Sequence, residues 1–181
     1  YFTDDPKGCK RWNYYTKKAE GHNTFVMNPE SEFDQDPDSY TCFTEISLNT
    51  EHPYAVCDLT NAYLKNGAKS VTRRVELVNN RSGLMITDHI ETRYNSEIWS
   101  FMHTTADIEL LGNHAVLYQD GKKLFIKVLN GNFEFFEVQP VPLNGAVSHI
   151  LEKDRSRYKR LGIKVNNALS FTISLLFSLE E

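Results

Sequence analysis

Residues 169–178 read LSFTISLLFS, and the reading of this stretch decides the fold. Phe171, Ile173, Leu175 and Phe177 alternate with Thr172, Ser174, Leu176 and Ser178. A period of two marks a strand with one buried face, because successive side chains of extended backbone point to opposite sides. The same period returns upstream. Leu124, Ile126 and Val128 alternate with Phe125, Lys127 and Leu129, while Val75 and Leu77 lie across from polar Arg74 and Glu76. Turn chemistry separates these runs: Asn79-Asn80-Arg81-Ser82-Gly83 joins RRVELV to LMITDHIE, and Asp120-Gly121 joins HAVLYQ to KKLFIKVL. Both joints read as antiparallel hairpins.

Similar runs near residues 24–28, 41–48, 54–60, 69–79, 83–93, 97–104, 114–119, 122–129, 133–138, 160–166 and 169–178 predict ten or more strands. Their spacing of roughly 8–15 residues points to an all-β fold, a large antiparallel β-sandwich, and not to βαβ units. Long strands over 71–79 and 83–92 favour stacked sheets over a small barrel. No segment of a dozen residues carries an apolar stripe at helical spacing, although residues 59–66 fit a short helical turn. Residues 28–40, NPESEFDQDPDSY, form an acidic polar loop, and residues 139–159 a second irregular stretch. Two parts are expected: a leading segment, residues 1–22, without alternation, and a sandwich domain, residues 23–181.

A chain of 181 residues suits one domain, and at that size it buries roughly 70% of the surface its unfolded form exposes. Apolar residues at 40% and charged residues at 24% exclude a disordered chain. The longest apolar run, Leu169 to Phe177, is far shorter than the ~20 residues that cross a bilayer, so no membrane partner is expected. A net charge of −4 offers no general cationic field, so no nucleic-acid partner is expected either. Cys9, Cys42 and Cys57 are odd in number and widely spaced, and read as reduced residues. Asn80-Arg81-Ser82 matches a glycosylation acceptor, a pattern too short to weigh. The chain begins at Tyr1 without a visible signal peptide, and is expected to be processed or part of something longer. Basic residues gather at Lys7, Lys10, Arg11, Lys17 and Lys18, and again at Arg155, Arg157, Lys159 and Arg160. The second group reads as solvated surface.

Functional side chains concentrate in residues 11–29, RWNYYTKKAEGHNTFVMNP. His22 stands between Gly21, which removes a side chain from beside it, and Asn23, which can orient a ring nitrogen. His22, Asp58 and His103 could together supply a zinc ion with a His/Asp/His set. Their spacing selects no metal, and the plainer expectation is that Asp58 begins a turn and His103 packs at a strand end. Neither GxSxG, HExxH nor a phosphate-cradling glycine loop occurs, so no catalytic constellation is visible.

The run W-x-Y-Y-x-K-K-A-E-G-H-N-T-F-V-M-N-P resembles the heparinase II/III-like family of polysaccharide lyases. Gln35, CDLTNAY at 57–63, the hairpin RRVELVNNRSGLMITDHIE, EIWSFMHT at 97–104 and DGKKLFIKVL at 120–129 resemble the C-terminal half of the same family. The resemblance spans residues 11–129; the last fifty or so residues match only in strand character.

That resemblance implies an N-terminal α/α toroid as partner domain in the same polypeptide and an acidic polysaccharide as substrate. It also implies a secreted or periplasmic location. The reaction implied is β-elimination on a uronic acid, which needs a base, an acid for the leaving oxygen and a group that stabilises carbanion charge. The residues filling those roles in the family lie upstream of Tyr1, so no catalytic residue is assigned, and the chain alone is expected to be inactive. His22 matches the last protein ligand of a structural zinc whose other ligands also lie upstream. Arg11, Lys17 and Lys18 are expected to face an acidic chain, with Tyr14 and Tyr15 offering flat surface to sugar rings and to the neighbouring domain. Lysine stands where the family pattern commonly has arginine, giving charge without a bidentate fork. The alternatives are a free-standing carbohydrate-binding sandwich and a scaffold domain whose sheets pack on a partner.

Overall fold

The computed structural model describes residues 14–31, 33–49, 51–131, 133–138, 140–141, 143 and 156–180. Ten strands dominate it. They are β1 (Phe25–Met27), β2 (Cys42–Ser47), β3 (Tyr54–Asp58), β4 (Ala68–Val78), β5 (Gly83–Thr104), β6 (Asp107–Leu111), β7 (His114–Gln119), β8 (Lys122–Val128), β9 (Phe136–Val138) and β10 (Lys159–Ser178). The only α-helix among the described residues is α1 (Thr60–Tyr63), inside the segment whose sequence fitted a short turn.

All pairings are antiparallel, in the order β2-β3-β4-β5-β10-β8-β7-β6, with β1 added on β5 and β9 on β10. Two strands hold the architecture together. The sequence reads as separate strands at 83–93 and 97–104, but β5 runs unbroken for 22 residues. Likewise the expected strands at 160–166 and 169–178 are one strand, β10, of 20 residues. β10 pairs with β5 twice, from Lys159 to Val165 and from Ser170 to Ser178, with register shifts between. Asn167 sits at the bend with φ 53°, a left-handed conformation that asparagine tolerates better than most residues.

The bend folds the sheet over. Leu161, Ile163 and Val165 from the first half of β10 share a core with Ile173 and Leu175 from the second, filled out by Ala115, Ile126, Val128 and Phe135. A second core joins Ile90 and Ile98 from the two halves of β5 with Phe25, Met27, Ala62, Tyr63, Ala68 and Val71. The result is the all-β sandwich the alternation predicts, with Ile126, Val128, Ile173 and Leu175 on its buried face. Val75 departs from that pattern: it lies on the face of β4 that carries Val71, yet is exposed.

Hairpin turns follow the sequence closely. Asn79, Asn80 and Arg81 have φ of 51°, 52° and 71°, and Asp120-Gly121 have 51° and 73°. Positive φ at consecutive turn residues matches the right-handed twist of the flanking strands.

Candidate functional site

Two tight 3₁₀ turns, Tyr15–Lys17 and Ala19–Gly21, lay the leading segment on the outer face of the sheet where β5 meets β10. Gly21 is required there: a Cβ at that position would run into the Tyr15 carbonyl oxygen. Asp34 fixes the second turn, its two carboxylate oxygens accepting the Ala19 N–H at 3.0 and 3.2 Å. Burial raises the pKa of Asp34 above the usual carboxylate value, partly opposed by the Ala19 and Gln35 N–H groups.

Tyr15 is only 2% exposed, and its hydroxyl is the centre of a polar chain. It lies 2.6 Å from His103 Nε2 and accepts an N–H from Arg160 Nη1 at 3.1 Å. On the far side of the imidazole, Asn23 Oδ1 accepts the backbone N–H of His103 at 2.8 Å and sits 3.3 Å from His103 Nδ1. The backbone N–H can only donate, which fixes the oxygen of Asn23 toward His103 and puts the ring proton on Nδ1. His103 Nε2 is then a lone pair that accepts the Tyr15 hydroxyl. Every link donates in one direction, from Arg160 through Tyr15 and His103 to Asn23. Desolvation, together with the charges of Arg160 and His22, depresses the pKa of His103 to about 4.

Arg160 reverses the reading of its basic cluster as solvated surface. It is 0% exposed, donates to the carbonyls of Glu20 at 3.3 Å and Val141 at 3.2 Å, and stacks 4.2 Å from the Phe101 ring centroid. Register explains this: Arg160 pairs with His103 on the face the leading segment covers. Arg157 is exposed and Lys159 bonds Asp107 at 2.5 Å, as a surface residue would, while Arg155 lies outside the described residues.

The His22-Asn23-Thr24 step is pinned to the sheet from several sides. Arg73 grips Asp88 with two bonds, 2.6 and 2.7 Å, and gives its remaining nitrogen to the Asn23 carbonyl at 3.0 Å. The Phe101 N–H bonds the Thr24 carbonyl at 2.8 Å, and Thr24 Oγ1 meets the hydroxyl of buried Tyr63 at 3.0 Å. Gln35 also donates to that hydroxyl. Asn23 therefore orients the ring of His103 and not that of His22, the residue beside it in sequence.

Between the leading segment and the acidic loop lies an open cleft of about 350 Å³, lined by Lys17 and His22 on one wall and Asp34, Gln35, Asp36 and Ser39 on the other, with Ala19, Leu59 and Ala62 among its apolar lining. The acidic wall is largely satisfied: Asp34 holds backbone N–H groups, and Asp36 pairs with Lys65 at 2.8 Å. Lys17 and His22 are exposed.

The expected sugar-facing residues thus divide. Lys17 faces the cleft. Lys18 is drawn back to Glu20 at 2.9 Å. Tyr14 and Tyr15, 8% and 2% exposed, show no open ring face to a sugar. Arg11 lies outside the described residues. The described residues do not of themselves fit zinc. Among the described residues no three His, Cys, Asp or Glu side chains gather around a point. Asp58 caps the Thr60 N–H at 2.9 Å, and both ring nitrogens of His103 are engaged. Sequence reasoning missed Arg73 and misread Arg160 as surface. For Arg73 the one available signal was position, since alternation sets it on the face of Val71; for Arg160 alternation pointed the other way, opposite Leu161 and Ile163, and the leading segment is what covers it.

The fold defined by this arrangement is one found in polysaccharide lyases. The chain matches heparan sulfate lyase HepC from Pedobacter heparinus with TM-score 0.68 and 12% identity over 98% of its own length. It matches a mutant of that enzyme with TM-score 0.66 at 11% identity, and the heparinase III BT4657 gene product with TM-score 0.66 at 10%. It spans about a quarter of those chains, 26%, 27% and 26% respectively, and so resembles one part of a larger lyase. No protein-family model matches the sequence, and no curated protein matches it. No helix among the described residues is long and apolar enough to cross a membrane.

Proposed function

We propose that this chain is the C-terminal β-sheet domain of a heparinase II/III-like polysaccharide lyase, working beside an α/α toroid to break uronic-acid-containing polysaccharide by β-elimination. The observation that carries this reading is the coverage: 98% of this chain aligns with about a quarter of a heparan sulfate lyase. Tyr15 and His103 spend polar atoms on each other and on Arg160 and Asn23, so neither is assigned as the base. On this reading the catalytic residues belong to the rest of the parent enzyme, and the chain alone does not turn over. Its contribution is to form one wall of the substrate cleft, with Lys17 and His22 as the groups open to an anionic sugar. The parent enzyme would act outside the cytoplasm, where such polysaccharides occur.

The test is direct. Unsaturated uronates absorb in the near ultraviolet, so the parent protein should generate that absorbance from a uronate polysaccharide while the 181-residue chain should not. Turnover by the chain alone would overthrow the reading. The cleft gives a specific reason to keep a second one, a free-standing carbohydrate-binding sandwich. Saturable, micromolar binding of glycans by the isolated chain, abolished by Lys17→Ala, would favour it.

A further inference from the structure

We infer that the apolar end of the sheet, where β2, β3 and β4 lie, is the docking face for the remainder of the parent polypeptide; this rests on the reading of the chain as one domain of a larger lyase. The two layers of the sandwich differ in width. One runs β2-β3-β4-β5-β10-β8-β7-β6, and the other holds only β1, the second half of β5, the first half of β10 and β9. Among the described residues the narrower layer therefore ends before the wider one does, and β2 and β3 overhang it.

The strand register traces the overhang residue by residue. Ile46, Ala55, Val75, Ile86, Leu175 and Val128 are successive partners across β2, β3, β4, β5, β10 and β8, so their side chains share one face. All six are apolar. Val128 and Leu175 are buried, Ile86 is half-buried, Val75 is 36% exposed and Ile46 62%. Phe43 opposes Cys57, two residues from Ala55 on β3, and adds to the same face a ring that is 65% exposed. The reverse face differs: Glu45, Val56, Arg74, Thr87 and Ser174 form the neighbouring row there, a mostly polar set that suits water. An apolar row that keeps its character beyond its cover is built to be buried.

Chemistry narrows the occupant. The side chains of Phe43, Ile46, Ala55 and Val75 offer neither charge nor hydrogen bond, and nearby Arg73 and Asp88 are spent on each other and on Asn23. Such a face does not read an acidic sugar; an apolar polypeptide surface fits it. Strand addition at the edge is disfavoured, because β2 carries a register shift between Phe43 and Glu45 that breaks the ladder along the open side. The cover thus comes from above the face. Nearly all of this chain, 98%, aligns with 26% of heparan sulfate lyase HepC, so most of such an enzyme is further polypeptide able to supply that cover. Thr41, two residues before Phe43, lines the cleft, so what docks here stands at the edge of the cleft.

Hydroxyl-radical footprinting of the parent protein and of the 181-residue chain, compared at concentrations where both are monomeric, tests the face. In the chain alone, Phe43 and Ile46 should be oxidised readily while Phe25 and Ile90, 1% and 0% exposed, are spared. In the parent, Phe43, Ile46 and Val75 should fall to the level of Phe25. Equal oxidation in the two proteins would overturn the docking face, whatever the parent's activity. Protection in the chain alone that grows with its concentration, with none in the monomeric parent, would assign the face to a second copy and overturn the proposal as well. Assaying the same parent sample for unsaturated uronates keeps the two readings apart. Protection without product sinks the lyase reading alone, and product without protection sinks the docking face alone.

Discussion

Arg73 holds Asp88 through two bonds of 2.6 and 2.7 Å and spends its last nitrogen on the Asn23 carbonyl 50 residues away in sequence. Asp88 is 4% exposed and Arg73 raises its own basicity through that carboxylate despite the cost of burial. The pair is thus a strut: it takes rigidity from β4 and β5 and passes it to the His22-Asn23-Thr24 step.

Asp88→Asn should therefore destabilise the fold by about 3 kcal/mol, because it leaves a largely buried guanidinium without its partner. Arg73→Lys should recover only part of the loss, since one ammonium cannot reach both carboxylate oxygens and the Asn23 carbonyl. Urea unfolding of the three proteins checks the order wild type, Arg73→Lys, Asp88→Asn.

Tyr15→Phe removes one hydroxyl, which takes the donor from His103 Nε2 and one acceptor from Arg160 Nη1, a group that keeps the Glu20 carbonyl. The expected loss is about 1–3 kcal/mol, the range for stranded buried polar atoms. The His103 pKa should rise at the same time, because the donor that favours its neutral ring is gone. Thermal melts and an imidazole titration read the two effects separately.

Gly21→Ala should be costly although alanine is otherwise the mildest of substitutions. Its methyl group would collide with the Tyr15 carbonyl, so one of the two turns must open. A fall in melting temperature with strand content unchanged by circular dichroism is the expected outcome, and an unchanged melting temperature would show that the two turns can part freely.

Lys17→Ala should leave stability within about 0.5 kcal/mol, since the side chain is exposed. Within the proposed function it should weaken retention on a column of acidic polysaccharide, and the difference from wild type should shrink as salt rises. Lys18→Ala, which breaks a sheltered pair with Glu20, should show the opposite profile: lower stability and nearly unchanged retention.

The strands and turns were legible because their signals are local. Alternation in Phe171–Phe177 and the Asn-Asn-Arg-Ser-Gly turn depend on residues a few positions apart. Residues 94–96 read as a gap between strands, yet β5 continues through them. Its bonds are supplied from far away: Thr92 donates to the carbonyls of Ala168 and Leu169, and the Arg93 N–H to Gly67. The candidate site was hidden for the same reason. Gly21-His22-Asn23 suggested an asparagine serving its neighbour, but strand pairing brings His103 to Asn23 from 80 positions away. Likewise Tyr14 and Tyr15 looked like surface aromatics until the face of β5 and β10 beneath them was known.

The two bent strands also govern how this molecule comes apart. With 22 and 20 residues, β5 and β10 each belong to both layers, so neither layer owns a boundary at which it could melt first. Unfolding should be a single cooperative transition, with equal calorimetric and van't Hoff enthalpies. Refolding should be slow for the chain's size, because its central pairing must wait for two segments far apart along the polypeptide to find each other.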